Sequence, residues 1–199
     1  MDGFRLRGVD LDGRDRVQLT IPRSLPPLTE SEHDEAWDLE DWLDRCRNLQ
    51  GRELFVLYQA GASAVGVWDR PRREWIDRHV FRRYVVRGNG KAQATHLKTK
   101  GKSRYGSRLR LQNAERLLEE TGEWIREALT VDGPVDSVLR ACDDRLWASV
   151  REACEPSFES VRVATIPADL PRPDFSALDS ARRAADRGTI QNIGVERED

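Results

Sequence analysis

Short apolar runs separated by glycine, proline and charged residues divide the chain into predicted strands and helices. The alternation in Val17-Gln-Leu-Thr-Ile21 is typical of a half-buried strand, and the continuous run Leu54-Phe-Val-Leu-Tyr58 is typical of a fully buried one. These patterns predict strands over residues 17–21, 53–58, 64–68, 79–86, 135–141 and 160–166. The polar, glycine-containing stretch 1–14 shows neither pattern, and we expect it to be irregular.

Apolar residues three and four positions apart predict four helices, over about 29–48, 107–129, 144–154 and 174–187. Thr29 with Glu32 forms a capping box for the first helix, and Ser107 caps the second. The inward stripe of the second helix consists of Leu111, Ala114, Leu118, Thr121, Ile125 and Ala128. Since strands come first and a β-α-β-α order follows, we expect an α/β fold with a mixed β-sheet flanked by helices. A polar, glycine-rich loop is predicted over 88–106, and loops of this length are commonly functional.

Charge is distributed unevenly along the 199 residues. The formal net charge is −2, which taken alone disfavours a nucleic-acid-binding protein. Residues 82–114, however, contain ten Lys or Arg and no Asp or Glu, so this segment carries +10 and the remainder carries −12. Its basic side chains alternate with Gly, Ser, Thr, Tyr and Gln, which contact phosphates and sugars in nucleic-acid complexes. We interpret the acidic run 24–44 as a solvated face, with shielding of the basic segment as the alternative.

Cysteine and histidine positions disfavour disulfides and metal sites. The cysteines, Cys46, Cys142 and Cys154, form no CxxC pair, and the three histidines share no metal-ligand spacing. The adjacent acids at 143–144 suit a helix cap better than a two-metal nuclease site. Without a transmembrane-length apolar run or a signal-peptide pattern, we expect a reduced, cytoplasmic, monomeric protein that uses no metal or cofactor. The 29 arginines against four lysines indicate a GC-rich bacterial genome.

Three motifs follow one another in and around the basic segment. They are the strand end Tyr84-Val-Val-Arg87, the glutamine at position 93, and the helix start Gly106-Ser-Arg-Leu-Arg110. In this order and spacing they resemble the catalytic domain of the Vms family of release-factor-like proteins in ribosome quality control. That domain is in turn similar to the middle domain of eukaryotic and archaeal class I translation release factors. The chain resembles a compact bacterial member, of actinobacterial type, over roughly residues 52–190.

The resemblance implies a fold and a division into regions. The fold is that of a release-factor middle domain, with ribonuclease H-like topology and a long basic catalytic loop. Residues 1–50 are then an N-terminal extension with a strand and an acidic helix, 51–190 the catalytic domain, and 191–199 a C-terminal tail.

The resemblance also implies the residues of a site. Gln93 is identified as the catalytic glutamine, on a loop whose backbone includes Gly88, Gly90, Ala92 and Ala94. RNA binding is assigned to Arg87, Lys91, His96, Lys98, Lys100, Lys102, Arg104, Tyr105, Arg108 and Arg110. True release factors have two glycines directly before the glutamine, whereas Lys91 and Ala92 stand there in this sequence.

The function implied is that of a peptidyl-tRNA hydrolase acting on stalled ribosomes or large subunits. We expect it to be independent of the codon, because this sequence lacks the domains with which a termination factor reads a stop codon. Its partners are then peptidyl-tRNA and the large-subunit rRNA at the peptidyl transferase centre. Two alternatives stay open. One is an endonuclease that cuts near the tRNA 3′ CCA end, and the other is a non-catalytic rescue factor that binds ribosomes or RNA.

Overall fold

A computed structural model describes residues 5–9, 15–26, 39–49, 51–84, 102–131, 135–154, 161–166 and 172–192. Within these ranges the chain forms eight strands, in two sheets, and four helices. The strands are β1 (Arg5–Val9), β2 (Asp15–Thr20), β3 (Arg52–Gln59), β4 (Ala62–Asp69), β5 (Glu74–Arg82), β6 (Ser137–Ala141), β7 (Arg162–Thr165) and β8 (Thr189–Asn192). The helices are α1 (Leu39–Arg47), α2 (Lys102–Val131), α3 (Asp144–Cys154) and α4 (Phe175–Ala185).

The larger sheet has five strands in the order β5-β4-β3-β6-β7. β3, β4 and β5 form an antiparallel meander, and β6 and β7 run parallel to β3. Only β4 runs against the other four strands, and this order and direction are the ribonuclease H-like topology. The expected mixed sheet flanked by helices is therefore confirmed. β3 lies at its centre because residues 54–58 are buried on both faces of the sheet.

Alternate residues of β3 face two different layers of helices. Leu54 and Val56 pack towards α2 and α3, in one cluster with Ile125. Phe55 and Leu57 pack against α4 on the opposite face. Burying each such side chain contributes about 1.5–3 kcal/mol, so these contacts set where the helices lie on the sheet.

The second sheet joins the beginning of the described chain to its end. β2 lies between β1 and β8 and pairs antiparallel with both. The expectation that 1–14 is irregular is therefore wrong for residues 5–9, and β8 was not predicted. β8 is short and exposed over 189–191, so backbone pairing rather than an apolar face places it there. The boundary expected between 190 and 191 falls inside β8.

Two elements around the basic segment differ from their predicted bounds. β5 spans Glu74–Arg82 and so begins earlier than the predicted 79–86, because its pairing with β4 extends back to the hairpin that follows Asp69. Residues 85–86 of that prediction lie outside the described ranges. α2 begins at Lys102, so residues 102–106 are helical and not part of the predicted loop, and Ser107 does not cap the helix. Lysine and arginine favour helix, and one interior glycine costs only about 1 kcal/mol, so the helix extends through Gly106.

The buried face of α2 is displaced from the predicted stripe. Thr121, Ile125 and Ala128 are buried as predicted, but Leu111 is 62% exposed. Leu117 is the first buried residue of α2 among those whose side chains are described. The apolar stripe of α2 therefore extends further towards the N-terminus of the helix than the core against which the rest of the stripe packs.

The other helices agree with the sequence to different degrees. α3 has its predicted bounds, whereas the helix predicted over 174–187 spans Phe175–Ala185, with Asp174 as its N-cap. α1 is shorter within the described residues than the predicted helix, and the capping box of Thr29 and Glu32 lies outside them. Trp42 of α1 is buried against Ile21. None of the helices in the described ranges is both long and apolar enough to cross a bilayer.

Candidate functional site

Most of the predicted site residues lie outside the part of the chain that the structure describes. These are Gln93, the loop residues Gly88, Gly90, Ala92 and Ala94, and the basic residues Arg87, Lys91, His96, Lys98 and Lys100. The backbones of Lys102, Arg104 and Tyr105 lie in the first turns of α2. The side chain of Arg108 is exposed and that of Arg110 is half-buried. The candidate site is therefore defined by the two elements that flank residues 85–101 in the chain.

The end of β5 is attached to α2 by two side chains of the helix. Asn113 Nδ2 donates a hydrogen bond to the carbonyl oxygen of Tyr84 over 2.9 Å. Glu120, further along α2, forms an ion pair with the guanidinium of Arg83. The backbone N–H of Arg83 donates to the carbonyl oxygen of Gly61 over 3.0 Å, which continues the pairing of β5 with β4 by one residue. Strand and helix are thus joined where the described strand ends.

The same two elements expose cationic and apolar side chains together. Arg82 and Arg108 are exposed, and Tyr84, Leu109 and Leu111 are 59%, 40% and 62% exposed. Exposed apolar side chains among basic ones are typical of interaction surfaces. The sequence indicated Arg108 through the charge pattern but not the three apolar residues. Leu111 matches a core-facing helical pattern, and only the position of the core shows that it faces solvent.

The C-terminal half of α2 is held firmly on the rest of the fold. Gly122 approaches α3 so closely that a Cβ added there would lie 2.8 Å from the carbonyl oxygen of Ala153. Arg126, one turn later, donates to that same carbonyl. A helix fixed at this end presents its N-terminal turns, and the basic residues on them, in a defined direction.

Asp143 and Asp144 stand at the start of α3, where the sequence left a remote possibility of a nuclease site. Asp143 Oδ1 accepts the N–H of Leu146 over 2.8 Å, and Asp144 pairs with Arg140 over 2.5 Å. The expected helix cap is therefore present at Asp143, while Asp144 is the first residue of α3. Across the described ranges, no group of three or more His, Cys, Asp or Glu side chains is arranged to hold a metal ion.

A cavity of about 580 Å³ lies between the beginning of β5 and α4. Its charged lining consists of Arg73, Glu74, Asp77, Arg78, Asp179 and Arg182. Arg78 pairs with Asp179 over 3.7 Å, and the Arg182 guanidinium lies 4.6 Å from the centre of the Trp68 ring. Equal numbers of arginines and carboxylates do not provide the positive excess that RNA binding requires. At about 3.3 Å per residue, the five residue steps from Arg78 to Arg83 separate the near edge of this cavity from the junction with α2 by roughly 16 Å.

A buried ion pair attaches the N-terminal segment to the larger sheet. Glu53 is 2% exposed and pairs with Arg70, while its Oε2 has no hydrogen-bond partner among the described residues. Burial raises the pKa of Glu53 to about 7, although the Arg70 cation opposes the rise. Arg162 donates to the carbonyl oxygens of Arg23 and Leu25, and burial lowers its pKa. We interpret this group as structural, because its hydrogen bonds connect Arg23 and Leu25 to β7.

Comparisons with known proteins agree with this fold. Residues 54–192 match the protein-family model described as the Bacteroidetes VLRF1 release factor. The solved structure described as the Vms1 mitochondrial localization core is similar, with a TM-score of 0.54, over 89% of this chain and 73% of that chain. The two sequences are 10% identical, so this likeness shows a shared fold alone. No protein of curated function matches the sequence.

Proposed function

This chain belongs to the family described as Bacteroidetes VLRF1 release factors, and we propose that it hydrolyses the ester bond of peptidyl-tRNA on stalled ribosomes or free large subunits. The observation that carries the proposal is the acid-free segment 82–114, whose ten basic residues surround Gln93. This segment runs from the end of β5 into the N-terminal half of α2, where the described side chains are exposed or half-buried as far as Arg116.

Gln93 is the residue to which we assign the positioning of water. The ester of peptidyl-tRNA is already activated, so orientation of water and stabilisation of the oxyanion suffice without a charged base. The amide oxygen of glutamine accepts a hydrogen bond from water and its nitrogen donates one. Water adds to the ester carbonyl, the C–O bond to the ribose breaks, the ribose oxygen takes a proton and the peptide leaves as a free acid. Ala92 and Ala94 beside Gln93 suit a narrow site walled by RNA.

RNA contacts are assigned to the cationic and aromatic residues on both sides of Gln93. On the β5 side these are Arg87 and Lys91, followed by His96, Lys98 and Lys100, and on α2 they are Lys102, Arg104, Tyr105, Arg108 and Arg110. Cations of this kind neutralise phosphates, and Tyr105 offers a ring on which a base can stack. The exposed Arg108 on α2 supports this assignment, because its guanidinium is accessible to a phosphate.

The proposal includes a setting for the reaction. We place the protein in the cytoplasm as a monomer, with the large-subunit rRNA and peptidyl-tRNA as its partners and without a cofactor. We also propose the actinobacterial type that the resemblance implied, with which the excess of arginine over lysine agrees.

Peptide release from purified large subunits that carry peptidyl-tRNA tests this function. No codon is present on a free large subunit, so release there also tests independence from the codon. We expect the wild-type protein to release peptide and Gln93→Ala to lower the rate about a hundredfold or more. Gln112→Ala is a matched control, because Gln112 is an exposed glutamine on α2 within the same basic segment. Unchanged release by Gln93→Ala would contradict the catalytic assignment.

The tRNA product of the same reaction separates the two chemical alternatives. An intact CCA end indicates ester hydrolysis, whereas a shortened 3′ end indicates an endonuclease. Binding to ribosomes at low salt with unchanged peptidyl-tRNA indicates a non-catalytic rescue factor. Lys91 and Ala92, in place of the two glycines of true release factors, favour this last alternative.

A further inference from the structure

We propose that Asn113 is a positioning residue for Gln93, because its side chain fixes where the chain leaves β5. Asn113 is not among the residues that the sequence assigned to the site. It acts through Tyr84 and not on the reacting ester, and its role rests on the proposed function of Gln93.

The backbone around Tyr84 shows why a side chain is needed there. Among the described residues, the last backbone hydrogen bond between this strand end and β4 runs from the Arg83 N–H to the Gly61 carbonyl oxygen, at 3.0 Å. One residue later, the carbonyl oxygen of Tyr84 accepts a hydrogen bond from Asn113 Nδ2 at 2.9 Å. The side-chain amide of Asn113 thus provides the donor that a neighbouring strand would otherwise provide. It does so at Tyr84, the last described residue before position 85.

Glu120 provides a second attachment on the same face of α2. It lies seven residues after Asn113, about two helical turns, and its carboxylate pairs with the Arg83 guanidinium. Consecutive residues of the strand end are therefore held by two points of one helix. One attachment would leave the strand end free to turn, whereas two attachments determine its direction as well as its position.

α2 is also the element to which the 17 residues 85–101 lead. They begin after Tyr84, which is held beside Asn113, and they end at Lys102, the first residue of α2. Asn113 lies eleven residues into the helix, or roughly 16 Å along its axis. The hydrogen bond to Tyr84 therefore sets the separation of the two points between which the segment with Gln93 extends.

The chemistry of the contact requires an N–H donor of this length. Aspartate has nearly the same shape but only acceptors, which would face the carbonyl oxygen, and alanine provides no polar group. Because this hydrogen bond is exposed, water can replace the missing donor, so the loss changes the free energy of unfolding little. A misplacement of about 1 Å at a catalytic group, in contrast, can lower a rate a hundredfold.

Asn113→Ala and Asn113→Asp test this role, with Gln112→Ala, the exposed neighbour on α2, as the matched control. Peptide release is measured against the concentration of large subunits carrying peptidyl-tRNA. We expect both Asn113 variants to lower kcat about tenfold or more. KM should stay within about twofold, because the RNA-binding residues are unchanged, and Tm within about 4 °C. The control should behave as wild type. Wild-type kcat in both Asn113 variants, or a change confined to KM, would overturn the proposal.

Amide hydrogen exchange at Arg83 gives a readout that does not depend on catalysis. Exchange should be faster in both Asn113 variants than in wild type and in Gln112→Ala, because the strand end has lost one attachment. Unchanged exchange would overturn the positioning role even if the rates fell. If the wild-type protein releases no peptide, the proposed function fails separately, and the exchange measurement still decides whether Asn113 holds the end of β5.

Discussion

Ser63 of β4 and Thr121 of α2 share a hydrogen bond of 2.7 Å between two fully buried hydroxyl groups. Thr121 Oγ1 donates its one proton to the carbonyl oxygen of Leu117 over 2.6 Å, so Ser63 is the donor in the pair. A hydrogen bond is directional whereas apolar contacts are not, so this pair favours one rotation of α2 on the sheet among those that bury its apolar side chains. The same rotation turns Asn113 towards the end of β5.

Thr121→Val removes the acceptor of this bond and keeps the shape of the side chain. The Ser63 hydroxyl then stays buried without its partner, and we expect the free energy of unfolding to fall by about 1–3 kcal/mol. Urea unfolding measures the change. The double variant Ser63→Ala/Thr121→Val lacks both groups and should recover most of the loss. Ser63→Ala is measured alone as well. If the losses of the two single variants simply added in the double variant, the bond would not have the role assigned to it.

Gly51 precedes β3 with a φ of 80°, a conformation that favours glycine. A Cβ at this position would overlap Cδ of Pro71 in the hairpin between β4 and β5. Gly51→Ala therefore combines backbone strain with a clash, and we expect it to lower the free energy of unfolding by about 2 kcal/mol or more. Combination with Pro71→Ala relieves the clash but not the strain. Partial recovery is expected in urea unfolding, and none would show that the overlap does not matter.

We expect the free energy of unfolding to decline as the pH rises, because burial changes the pKa of Glu53. In the unfolded chain this carboxyl titrates near its ordinary pKa of 4.5, whereas burial raises its pKa in the folded protein to about 7. Between these two values the folded state keeps a proton that the unfolded state has lost. The free energy of unfolding contributed by Glu53 is thus fully present below about pH 4.5 and declines up to about pH 7, by at most about 3 kcal/mol.

Glu53→Gln tests this dependence, because a glutamine does not titrate and can still accept a hydrogen bond from Arg70. Urea unfolding of both proteins is compared at several pH values from 4.5 to 8. The difference in stability, wild type minus variant, should decline up to about pH 7 and then level off. Parallel curves would show that Glu53 is ionised throughout this range and that the pairing with Arg70 outweighs burial.

The basic residues after Gln93 should make binding to large subunits depend on salt. Each neutralised single-strand phosphate contributes about 0.7 to the slope of log K against log salt. Lys98→Ala/Lys100→Ala/Lys102→Ala should therefore reduce the slope by about 2, measured by co-sedimentation at increasing salt. A triple variant at exposed arginines on other surfaces, Arg72, Arg151 and Arg183, removes the same charge and should leave the slope unchanged. Equal effects of the two variants would show that net charge, rather than this segment, governs binding.

Particular elements show how far the sequence alone leads. The run at residues 54–58 predicted a fully buried strand correctly, because a strand covered on both faces is apolar throughout. β8 was missed, since it has only four residues with one apolar side chain, and its partner β2 lies far away in the chain. Leu111 was assigned to the core on its helical spacing, yet it is exposed, because periodicity does not show where a core ends.

Some features of the candidate site likewise follow from the sequence, and others only from the structure. The positions of charged residues along the chain can be read without a structure. The sequence by itself therefore determined the acid-free segment 82–114 and the place of Gln93 within it. It also determined the order of the elements from β2 to α4, since local periodicity reflects burial on one face, but neither β1 nor β8. Only the tertiary structure decided that Asn113 meets Tyr84, 29 residues earlier, and that Thr121 meets Ser63. Such contacts depend on how a helix packs on a sheet, which no local pattern specifies.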